Sequence, residues 1–230
     1  MQLIEVSLTG VRSAVITLEA AGTPMRIVLL PMVHLGTPDF YRSVTARLAE
    51  CDLIVAEGIY GRSIAAAALT LAYRLPARHG RLGLTVQKID YARFGVPVIR
   101  PDLSARQFRA GWRSVPWLQR LAVGCLVPPF ALAFGLLGTR RTFSKYLNAD
   151  DLPDHLDVEV KQALPELTGL ILDSRDALLV DCLVSIHDAH QAERVAVVYG
   201  AGHMPAVTRE MFRRFGYRPR SAEWLTVFDF

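Results

Sequence analysis

The sequence predicts an α/β fold with a largely parallel central β-sheet, helices on both faces and a helical insertion. Three observations predict it. Short apolar runs recur at 26–30, 52–56, 96–99 and 194–199, as expected of strands buried on both faces. Segments with helical spacing separate them, which implies crossovers between parallel strands. With 51% apolar and 21% charged residues, the 230-residue chain can bury one sizeable core and has no long stretch polar enough for disorder.

The elements follow in order. Alternating runs at 3–8 and 14–18 flank Gly10 and predict an opening hairpin, ahead of the first buried-type strand at 26–30. Phe40, Val44 and Leu48 place a helix over 39–50, leading to the second strand at 52–56. Helices are expected over 63–75 and 84–94, and a third strand over 96–99. Residues 103–164 read as helices broken at Pro116, Pro128, Pro129 and Pro153, an insertion within a single domain covering 1–230. Leu170, Ile171, Leu178, Val180 and Ile186 give the apolar side of one long helix over 165–192. A fourth strand at 194–199, a closing helix at 205–215 and a last strand at 224–228 complete the chain.

The net charge of +4 is spread thinly, with short basic pairs at Arg140-Arg141 and Arg213-Arg214, and this argues against nucleic acid as the main partner. Cys51, Cys125 and Cys182 are far apart and odd in number, so they are expected to be small buried hydrophobes in a reducing compartment. The start of the chain lacks the charge and apolar run of a leader, and a cytoplasmic address follows as the expectation. One segment complicates it. Residues 121–138 carry no charge and reach the lower length limit for a membrane span. Pro128-Pro129 in its middle predicts a break, and a helical hairpin that is buried or covered by a partner. Homo-oligomer or membrane-surface contact through residues 115–138 is therefore expected.

The chemistry concentrates where the strands end. His34 follows the first buried run, Glu57 the second, Asp102 the third and His203 the fourth. In parallel order these ends share one edge, where ligands bind. Singly, each has a plain structural role to play, as a hydrogen-bonded histidine or a helix cap. Their recurrence at equivalent places is the signal. Two imidazoles with one or two carboxylates suit a first-row divalent ion such as Zn, Mn or Co, held by His34, Glu57 and His203. Without an ion, the same groups suit general acid–base work. His187 and His190 have chelate spacing but are expected at a solvated helix end, and His79 and His155 in loops.

Pro31-Met32-Val33-His34 and Gly200-Ala201-Gly202-His203, with Glu57 between, resemble the two Gly-x-x-His motifs of the TraB/PrgY–Tiki–GumN superfamily. The likeness extends to 91–102, ending in Asp102, to RQFRAGWR at 106–113, and to Ser174-Arg175-Asp176, which is similar to the family's Glu-Arg-Asp. The resemblance implies a fold shared with erythromycin-esterase-like and ChaN-like proteins. It also implies a divalent-metal-dependent hydrolase, possibly a peptidase acting on peptide signals, or a non-catalytic, pheromone-shutdown-type module that binds a peptide or small ligand. It makes His34, Glu57, Arg175 and His203 the catalytic set, with Arg175, Asp102 and Tyr91 on the substrate. By residue chemistry alone, Arg175 would be a helix-surface ion pair with Asp173 or Asp176. Three departures stand out: Pro31 replaces a glycine, Ser174 replaces an acid, and the chain ends at Phe230 without the C-terminal membrane helices of many TraB-like proteins. The last of these argues against a membrane-embedded pheromone role.

Overall fold

A computed structural model describes residues 1–58, 82–145, 147, 149–150 and 162–230. The helix expected at 63–75 lies outside the described residues, as do His79 and His155. The chain is an α/β fold with an eight-stranded mixed sheet in the order β7-β5-β9-β3-β2-β1-β8, and β10 added to β2. The strands are β1 (Gln2–Val6), β2 (Gly10–Glu19), β3 (Arg26–Met32), β5 (Leu53–Ala56), β7 (Val98–Ile99), β8 (Ala149–Asp150), β9 (Arg194–Gly200) and β10 (Arg218–Asp229). A separate two-stranded ribbon pairs β4 (Leu35–Gly36) with β6 (Thr85–Val86).

The four apolar runs form the parallel half, β7-β5-β9-β3, in which β3, β5 and β9 are buried and β7, expected to be so, is a half-buried two-residue edge. Their alternating side chains fill two cores. Val28, Leu30, Ile54, Ala56, Ala196 and Val198 face α1 (Pro38–Leu48). Ile27, Leu29, Leu53, Val55, Val195 and Val197 face α6 (Ser174–Asp188) and α7 (Met204–Phe215). Burial of both faces is why these strands read as continuous apolar runs.

Chain order and sheet order differ at one point that matters. After β3 the chain passes through α1 to β5, leaving a slot that β9 fills much later. Strand β3 exits to α1 on one face and β9 exits to α7 on the other, so a crevice opens between their carboxyl ends. Strand β2 begins the antiparallel half. One of its edges takes β10 along its whole length, with register shifts between Pro219 and Ser221 and between Thr226 and Phe228. The other edge is divided between β1, at Val11 to Ser13, and β3, at Ile16 to Glu19. Pro31, which has no N–H to donate, lies where β2 leaves β3, and Ser13 Oγ donates to its carbonyl at 2.6 Å.

Several elements depart from expectation. Residues 84–94 are not a helix: Thr85 and Val86 pair with Gly36 and Leu35, and only Tyr91–Phe94 coils, as a 3₁₀ turn ended by left-handed Gly95. The insertion carries α2 (Ala105–Ser114), α3 (Trp117–Leu137) and α4 (Arg140–Ser144). Pro128 and Pro129 do not break α3 into a hairpin; both lie inside one continuous 21-residue helix. Cys125 on α3 is exposed, while Cys51 is buried and Cys182 half-buried. The helix expected over 165–192 ends at Asp188, with His190 at positive φ beyond it. It begins as α5 (Pro165–Thr168) and passes through a π-helical turn, Gly169–Asp173, before α6. Leu167 and Leu170 there pack with Leu103, Phe108 and Val115, fastening α2 to the turn that precedes Arg175.

Candidate functional site

His34, Glu57, Asp102 and His203 stand at the ends of β3, β5, β7 and β9, and α6 brings Arg175 to them. The centre is a buried ion cluster. Arg175, 8% exposed, donates from Nε to Asp102 Oδ1 at 2.8 Å, and from Nη2 to Asp102 Oδ2 at 2.7 Å and Glu57 Oε1 at 2.6 Å. Arg175 therefore serves as a clamp on two carboxylates, not as a surface pair with Asp173 or Asp176. An anionic substrate group would have to compete with both carboxylates for it.

Asp102 has no exposed side-chain surface and also accepts from the amides of Gly58 at 2.9 Å and Leu103 at 2.7 Å. With four donors on two oxygens it acts from behind the site, fixing Arg175 and the start of the chain after Glu57. Its expected place on the substrate gives way to this positioning role. Tyr91 stands at the rim, with the Arg100 guanidinium over its ring at 5.5 Å. Burial pushes its phenol up to about 12 against the opposing Arg100 charge and Gln87 hydrogen bond, which keeps the hydroxyl neutral.

Glu57 is held at both oxygens, since Oε2 accepts the Gly200 amide at 2.7 Å. Burial on its own would raise its carboxyl. Arg175 first, then His203, His34 and the Gly200 amide outweigh this, and the group sits below its ordinary range. His34 thus shares the field of Glu57 although its ring is only half-buried. Its carbonyl accepts from the Gln87 amide at 2.9 Å, which ties the β3 exit to β6. A Cβ at Gly200 would come within 3.3 Å of Glu57 Oε2, so glycine here permits the close approach of strand and carboxylate.

His203 is 4% exposed and lies in the 3₁₀ turn that opens α7. Its Nδ1 is 2.6 Å from Asp176 Oδ1. A carboxylate only accepts, so Nδ1 donates and Nε2 is the ring's working atom, 3.9 Å from Glu57 Oε1. The Tyr199 ring meets the imidazole edge-on at 5.5 Å, and its hydroxyl donates to the Pro101 carbonyl at 3.1 Å, tying the ends of β9 and β7 together. Sequence reasoning missed Asp176 in this role. The signal was its place directly after Arg175, one step along the helix, where two adjacent side chains address two neighbouring strand ends.

Of the other histidine pair, His190 is exposed just beyond the helix end, as expected, whereas His187 is not. His187 stacks on Phe215 at 3.8 Å between ring centroids and its Nδ1 lies 3.1 Å from the Tyr217 hydroxyl, so it is packed where a solvated helix end was expected. Among the described residues, no three His, Cys, Asp or Glu side chains converge as a ready ion site. His203 and Glu57 face one another as a pair. No family model, no curated protein and no solved structure matches this chain.

Proposed function

We propose that this protein is a divalent-metal-dependent hydrolase of acyl bonds, of the TraB–Tiki–GumN kind, with peptides as the substrate class. The observation that carries the proposal is His203 Nε2 facing Glu57 Oε1 at 3.9 Å, with each group fixed from behind by a buried or half-buried partner. Two metal–ligand bonds of about 2.1 Å at a tetrahedral angle set their donors roughly 3.4 Å apart, so an approach of about 0.5 Å between the two side chains would seat an ion. The donor types fit as well. Asp176 holds His203 as carboxylates hold metal-binding imidazoles, and His34 and Glu57 complete the set. The ion would supply a Lewis acid that acidifies water and polarises the substrate carbonyl.

The chain's own residues do the rest. Glu57, kept ionised by Arg175, accepts the proton of the attacking water. Asp176 keeps the His203 proton on Nδ1 and the Nε2 lone pair toward the substrate side. Arg175 and Asp102 hold Glu57 in place, while Tyr91 offers a neutral hydroxyl at the rim.

The test combines metal analysis of protein purified without chelators with a peptide-cleavage assay. Near one equivalent of divalent ion is expected in the native protein, lost in His34→Ala and His203→Ala, and Glu57→Gln should slow cleavage by about 10²–10⁴-fold. Full occupancy in both histidine variants would overturn the metal. Tight peptide binding that Glu57→Gln leaves intact, with no turnover in the native protein, would replace the hydrolase by a ligand-capturing module.

A further inference from the structure

We infer that α3 is a membrane-surface anchor, lying flat in the headgroup region of an anionic bilayer. From Leu121 onward it is apolar on every side, yet it leaves Trp117, Leu121, Leu126, Phe130, Leu136 and Leu137 between 47% and 78% exposed. A soluble helix keeps its polar residues on the outer face; this one has none there to keep.

Length alone would let α3 cross a bilayer, since 21 residues span about 31 Å. Its anchorage forbids that. At the start, Gln119 Nε2 donates to Glu166 Oε2 at 2.6 Å and Val123 packs on the Leu103–Phe108–Leu170 cluster. Just past the end, Arg140 donates to the carbonyls of Leu82 at 2.7 Å and Asp229 at 2.8 Å, and the Phe143 ring meets that of Phe228. Both ends are fastened to one folded body. The helix lies along that body, so a bilayer can take its outer face but cannot be threaded by it.

Charge selects the occupant. Of the chain's 26 Lys and Arg, seven lie between 103 and 149 and 19 elsewhere, whereas all 22 Asp and Glu lie outside that segment. Residues 103–149, which hold α2, α3 and α4, are thus purely basic, and the acids of the chain lie before and after them. Arg106, Arg109, Arg113, Arg141 and Lys145 are exposed on the helices that flank α3. An apolar strip with exposed cations on the segments before and after it, and one acid, Glu166, at its start, matches an anionic lipid surface. A second copy seated on it about a two-fold axis would bring two such rims together, and like charges repel. The anchor is independent of what the strand-end site catalyses.

Flotation with phosphatidylcholine vesicles containing 30% phosphatidylserine tests the inference. The protein should float with them, stay behind with pure phosphatidylcholine, and be released by raised salt or alkaline carbonate. Leu126→Glu with Phe130→Glu should weaken binding at least tenfold. Arg141→Gln with Lys145→Gln should weaken it about 25-fold, at about 1 kcal/mol per cation. Circular dichroism verifies that both variants stay folded. Resistance to carbonate would mean a spanning helix and overturn the in-plane anchor. Indifference to anionic vesicles, or a dimer split by Leu126→Glu with Phe130→Glu, would overturn the lipid in favour of another cover.

Discussion

At the residue scale, the cluster around Arg175 is a buried charge system in which one cation serves two anions. Removing it strands both carboxylates, so Arg175→Met is expected to cost about 3–5 kcal/mol in urea unfolding. Arg175→Lys should not restore the loss, because a single ammonium cannot fork between Asp102 and Glu57. The partner of His203 gives a finer test. Asp176→Asn removes the carboxylate that fixes the imidazole, and metal affinity should fall about 10–100-fold while the fold persists, read by calorimetric titration of the folded variant. Protonation of Glu57 supplies the pH dependence. Its folded-state carboxyl lies below the ordinary 4.5, so its contribution to stability is complete above that value and is lost as pH falls through the lower folded value. Unfolding free energy should therefore drop on acidification below about pH 4.5, and Glu57→Gln should flatten that slope. His34, Glu57, Asp102 and His203 were legible because each ends an apolar run. Asp176 was not, because its place beside Arg175 gains meaning only once the strand order that brings His203 next to Glu57 is known.

At the element scale, legibility followed burial. Strands β3, β5 and β9 declare themselves because both faces are covered, and α1 because Phe40, Val44 and Leu48 are buried along one side of it. The segment 84–94 misled because its apolar residues serve a two-residue ribbon and a 3₁₀ turn, units too short for periodicity to mark. Pro128 and Pro129 misled in the opposite sense. A proline removes one helical hydrogen bond but does not cancel those of its neighbours. The seven cations of residues 103–149 looked scattered because the eye counts pairs, whereas the signal was the absence of acids from that stretch. The π-helical turn before Arg175 couples this insertion to the site. Gly111 on α2 passes so close to it that an added Cβ would stand 2.4 Å from Leu170 Cδ1. Gly111→Leu should overpack that seam and destabilise by about 1–3 kcal/mol, with a measurable loss of activity through the displaced Arg175.

At the scale of the whole molecule, strand order was beyond the sequence. Local pattern identifies a strand but does not say that β9, the last of the parallel set, enters between two earlier ones and so delivers His203 between His34 and Glu57. Strand β10 shows the same limit: Trp224 to Phe228 betrayed its apolar end, while the exposed stretch from Arg218 carries no such mark. That strand, 12 residues long and paired among the described residues only with β2, offers its far side as a template on which a stranger's backbone could add. Its two register shifts and the Arg218-Pro219-Arg220 start spoil the template by kinking and charging it. Pro219→Val with Arg220→Thr should smooth that border, and heated samples should then show fibrillar thioflavin fluorescence that the native chain does not. The irregularities in the final strand therefore act as a guard against amyloid-like stacking, keeping each molecule apart from its neighbours at the concentrations a cell imposes.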